Sequence, residues 1–85
     1  MKKITENEMF LHNIAARYIM GENVDLELDG SYAELLCLKE LLEVSKDLKK
    51  ALDENKSLDT IIDLMESKKF ITSKFESLTG LTWRL

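Results

Sequence analysis

Eighty-five residues with a net charge of −4 make one small domain, 1–85, and a chain this short buries only about 60–65% of the surface it exposes when unfolded. An apolar content of 45% beside a charged content of 33% excludes disorder throughout, and the acidic balance disfavours binding to nucleic acid or to an anionic membrane. No apolar run approaches the roughly 18–20 residues of a membrane span, and Met1-Lys2-Lys3 leads into no apolar signal region, so the expected location is the cytoplasm.

Thr5 and Glu8, spaced as a capping box, open the first expected helix, which runs to about Met20 and stops at Gly21. Leu11, Ile14, Ala15, Tyr18 and Ile19 form its apolar stripe. Residues 24–28 then alternate strictly, with Val24, Leu26 and Leu28 on one face and Asp25 and Glu27 on the other, which is the pattern of a short strand. Asp29-Gly30 turns the chain. Ser31 with Glu34 caps a second helix, whose stripe is Leu35, Leu38, Leu41, Leu42, Leu48 and Leu52. Cys37 sits inside this leucine-rich run and, having no partner for a disulfide, reads as a buried, reduced core thiol. Lys46, Lys49 and Lys50 complement the dipole at the end of this helix.

Ser57 caps a third helix after the tight connection Asn55-Lys56. Its stripe reads Leu58, Ile61, Ile62, Met65, then Ile71, Phe75 and Leu78, and it stutters at Lys68-Lys69-Phe70. Either the helix bends there or the lysines run their stems along the edge of the core. Gly80 ends the helix, and Leu81-Thr82-Trp83-Arg84-Leu85 alternates like a second strand.

The expected fold is α+β and mostly helical, in the order α-β-α-α-β. Two helices over 31–54 and 58–79, each about 33–36 Å long and joined by a short connection, must be antiparallel neighbours. That brings Gly80 back beside Gly30, and 81–85 pairs antiparallel with 24–28. In this register Leu81 faces Leu28, Trp83 faces Leu26 and Arg84 faces Asp25. An isolated two-stranded ribbon leaves open edges, so the expectation extends to a four-stranded sheet across a dimer. Val24, Leu26, Leu81, Trp83 and Leu85 are then the candidate interface. The alternative is an all-α three-helix bundle with Trp83 packed as part of a tail.

Catalytic motifs do not assemble. His12 is the sole histidine and lacks companions at metal-ligand spacing, no carboxylate pair is set apart as acid and base, and no glycine loop cradles a phosphate. The reading is therefore of a non-enzyme with no metal and no cofactor. Lys68, Lys69, Lys74 and Arg84, joined by Arg17 and Tyr18, are the candidate anion-binding patch. The expected function is a small interaction or regulatory protein that self-associates and binds another macromolecule. The alternative is an oligomeric protein that sequesters a small anion such as a nucleotide signal. Phage-encoded sequestering proteins are similar in scale only, and no motif carries a family resemblance.

Overall fold

The computed structural model describes residues 2–24 and 28–85. Five elements follow in chain order: β1 (Lys2–Lys3), α1 (Glu8–Ile19), β2 (Leu28–Asp29), α2 (Tyr32–Asp53) and α3 (Leu58–Thr79). The chain is mostly helical, and its longest elements, α2 and α3, form the expected hairpin.

Local chemistry explains where the helices begin and end. Ser31 accepts the Glu34 N–H while the Glu34 carboxylate accepts the Ser31 N–H at 2.9 Å, a complete capping box. Ser57 accepts from the Thr60 N–H, and Gly80 closes α3 in the left-handed region at φ 75°. Asn55 takes φ 53° in the connection, a conformation asparagine tolerates better than most residues. The start of α1 differs from expectation. Asn7, two residues beyond Thr5, is the N-cap, and its Oδ1 accepts the Phe10 N–H at 3.0 Å. An amide so placed captures the same class of first-turn donor, so Thr5 is not needed.

The antiparallel ribbon between 24–28 and 81–85 is not the pairing that forms. Residues 25–27, which include Leu26, lie outside the described residues. Leu28–Asp29 pairs instead with Lys2–Lys3, in parallel, with Lys2 opposite Leu28 and Lys3 opposite Asp29. The Ile4 N–H extends this pairing, donating to the Asp29 carbonyl at 2.8 Å. Helix α1 supplies the crossover that a parallel pair requires. Residues 81–85 are not strand at all. Their backbone donors are taken by side chains: Thr82 N–H by Glu8 at 2.8 Å, Trp83 N–H by Glu76 at 2.8 Å, and Arg84 N–H by His12 at 3.1 Å. A tail whose N–H groups meet acceptors on two helices gains nothing from a ladder.

The core gathers Ile4, Leu11, Ala15, Leu28, Cys37, Leu41, Phe75 and Trp83. Trp83 is only 7% exposed, so the indole turns inward as the alternation implies. It meets Phe75 edge-on at 5.5 Å between centroids and His12 at 5.3 Å. Ile4, at 1% exposure, belongs to no stripe read from the sequence. It fills the space below Gly30, where an added Cβ would stand 3.4 Å from Ile4 Cγ1 and 3.3 Å from Glu34 Oε1.

Candidate functional site

The inward face of α3 is Ile61, Leu64, Lys68, Ile71 and Phe75, each three or four residues from the next. Lys68 therefore occupies a slot that a hydrophobe would ordinarily fill. The stutter read from the sequence is a lysine inserted in the true stripe, and α3 runs through it as one helix from Leu58 to Thr79. On α2 the matching irregularity is Ser45, buried at 4% exposure among Leu41, Leu42 and Val44.

These two polar residues border a pair of hollows. The first, about 360 Å³, is lined on α3 by Met65, Lys68, Lys69, Thr72 and Ser73, and closed by Leu48, Trp83 and Leu85. The second, about 370 Å³, is lined by Ser45, Lys49 and Lys68 among the apolar side chains of Ile19, Met20 and Leu52. Leu48, Lys68 and Leu85 border both, so the hollows adjoin across a common wall. Among the described residues Lys68 has no ion pair and no hydrogen bond, whereas Lys49 is tied to Asp53 at 2.7 Å. Burial pushes the Lys68 ammonium below its ordinary 10.5. Among the described residues two side-chain polar atoms are buried without a partner, Ser45 Oγ and Trp83 Nε1.

The other candidate residues are dispersed by the fold. Lys69 joins Lys68 in the first hollow, but Lys74 lies on another face of α3, where its charge acts on the Cys37 thiol. Arg17 pairs with Glu22 at 3.4 Å, and the Tyr18 ring lies under the Lys46 ammonium at 4.7 Å. Arg84 borders a small hollow with Glu8, Met9 and His12. Of the candidate interface residues, Leu81, Trp83 and Leu85 pack on the chain's own core, and Val24 is half-buried. Sequence reasoning missed Ser45 and the place of Trp83 in the hollow wall. The 61-64-68-71-75 spacing was the available signal for the hollow, obscured by the equally apolar 58-62-65 row.

Two side chains of reactive type are engaged within the fold. Cys37 is buried, its Sγ donates to the Ile71 carbonyl at 3.8 Å, and burial raises its thiol above 9.0, with Lys74 opposing and Glu40 adding. His12 Nε2 accepts from Arg84 N–H, so the ring proton sits on Nδ1 and is donated to the Glu8 carbonyl at 2.7 Å. Among the described residues no cluster of three or more His, Cys, Asp or Glu side chains could hold a metal, and no helix is long and apolar enough to cross a membrane. In comparisons with known proteins the chain matches no family model, no curated protein and no solved structure.

Proposed function

We propose that the chain is a small non-enzymatic interaction protein that pairs with a second copy of itself and, so paired, docks on another macromolecule. The observation that carries this reading is the second apolar row of α3. Leu58, Ile62 and Met65 lie at helical spacing on the shoulder of the helix, 70%, 41% and 55% exposed. Leu52 of α2 is also exposed at this end of the hairpin. Side chains of this kind gain about 1.5–3 kcal/mol each on full burial, and contiguous exposed apolar rows mark contact surfaces.

The charges on α3 favour a second copy as the occupant. Asp59, Asp63 and Glu66 fall in its first half, which ends at the inward Lys68; Lys69 and Lys74 fall in its second, where Glu76 is taken by the tail. Two copies packed antiparallel about a two-fold axis set the acidic half of each helix against the basic half of the other, while parallel packing sets like against like. The antiparallel arrangement is the better matched of the two.

Sedimentation equilibrium tests the pairing. The expected result is a dimer that dissociates on dilution, and an Ile62→Glu protein that stays monomeric with unchanged helicity. A wild-type chain that remains a 9.8 kDa monomer at high micromolar concentration would overturn the reading.

A further inference from the structure

We propose that the paired hollows at Lys68 bind a small organic monocarboxylate with an unbranched apolar body. The carboxylate sits against Lys68 and the hydroxyls of Thr72 and Ser73, and the body extends into the hollow walled by Ile19, Met20 and Leu52. This site lies within one protomer and does not rest on self-association.

The division of chemistry between the hollows sets the ligand's shape. One side offers hydroxyls and ammonium groups, the other is almost wholly apolar, and Lys68 stands on the boundary. A ligand polar at both ends leaves the second hollow ill-filled, and a hydrocarbon leaves the donors of the first unanswered. Volumes of about 360 and 370 Å³ lie at the small end for ligand sites, in keeping with a chain of modest length.

The sign and amount of charge follow from the donors. Lys68 lacks a counter-charge among the described residues, and the polar side chains that line the hollow beside it, Lys69, Thr72 and Ser73, bring no negative charge. Burial disfavours the charged lysine, and a carboxylate brought beside it favours that form. Only Lys68 and Lys69 serve the polar hollow; Arg17, Lys74 and Arg84 lie elsewhere. A di- or triphosphate would meet too few cations there, whereas a single negative charge is matched.

Trp83 is the chain's only tryptophan and part of the hollow wall, so its fluorescence reports occupancy directly. Decanoate, decanol and inorganic phosphate are titrated into the wild-type protein, into Lys68→Met and into Leu58→Glu, with calorimetry in parallel. Methionine is similar in volume to lysine and apolar, so Lys68→Met keeps α3 packed. The expected result is saturable binding of decanoate at least about 10-fold tighter than decanol, as a charged hydrogen bond supplies. Lys68→Met erases that preference. Leu58→Glu, which lies outside both hollows, retains it whether or not the chain self-associates. No saturable response to decanoate, equal affinity for decanol, or phosphate binding as tight as decanoate would each overturn the proposal.

Discussion

The two halves of α3 carry similar numbers of apolar side chains, and only the second buries one of them fully. In the second half Phe75 is 0% exposed, enclosed with Trp83, Cys37 and Leu41. In the first half Leu58 is 70% exposed, and α3 packs chiefly on α2. The difference is the tail. Residues 82–84 are held between α1 and α3 by Glu8, His12 and Glu76, so the end of the hairpin near Gly80 acquires a third wall, while Leu58 near Asn55 stays open. Stability should therefore concentrate at the clamped end. Lys68 marks the border between the two ends.

Trp83→Ala tests the clamped end most severely. Removing a buried indole should destabilise the fold by about 3–5 kcal/mol, and at this chain length each kcal/mol lowers Tm by about 4–8 °C. Glu76→Ala comes next. It strands the Trp83 N–H, a half-buried donor, and should cost about 1–3 kcal/mol in chemical denaturation. If Glu76→Ala is silent while Trp83→Ala is severe, packing alone seats the tail and the side-chain acceptors are incidental.

At the open end Ile62→Glu should change monomer stability by no more than about 0.5 kcal/mol, because an exposed position loses no core contact. A loss as large as that of Glu76→Ala would mean that the outer row supports the protomer itself. The smallest effect belongs to the border. A lysine whose folded pKa is depressed binds fewer protons folded than unfolded, so its contribution to stability rises as pH climbs from the depressed value toward 10.5. The Cys37 thiol, raised above 9.0, contributes the opposite trend over neighbouring pH. Subtracting the Lys68→Met stability profile from that of wild type removes the thiol's contribution. The difference should narrow steadily as pH rises to 10.5, with Lys68→Met the more stable at neutral pH. A flat difference would show that Lys68 is fully hydrated in the folded chain.

Much of the scaffold was legible because helices announce themselves locally. Ser31 and Glu34, Ser57, Gly80 and the leucine periodicity of α2 act within one or two turns, and the hairpin follows from their spacing. The ribbon misled for an equally physical reason. Alternation of apolar and polar residues states which side chains turn inward, and Trp83 obeys it, but it does not name the partner that takes the backbone donors. Glu8 and His12 precede Trp83 by most of the chain, and nothing near the tail signals them. Ile4 was overlooked because a single apolar residue between charged and polar neighbours shows no period.

The candidate site was partly visible. Lys68 and Lys69 break the apolar row of α3 in plain view, but two overlapping rows, 58-62-65 and 61-64-68-71-75, compete for the inward face. Only packing on α2 decides between them, and with that choice Lys68 becomes a wall residue facing the stripe that holds Ser45. Lys74 and Arg84, close to Lys68 in number, are separated from it by helical phase and by the path of the tail.

Residue order by itself determined the helices, the caps of α2 and α3, the hairpin and the inward turn of the indole, because hydrogen bonds and periodicity over a few residues are sufficient for each. Tertiary structure alone decided that Lys2–Lys3 pairs with Leu28–Asp29, that acceptors on α1 and α3 hold the tail, and that Lys68 and Ser45 border a common hollow. Those outcomes depend on which groups meet across long stretches of chain, and no short-range pattern encodes that competition.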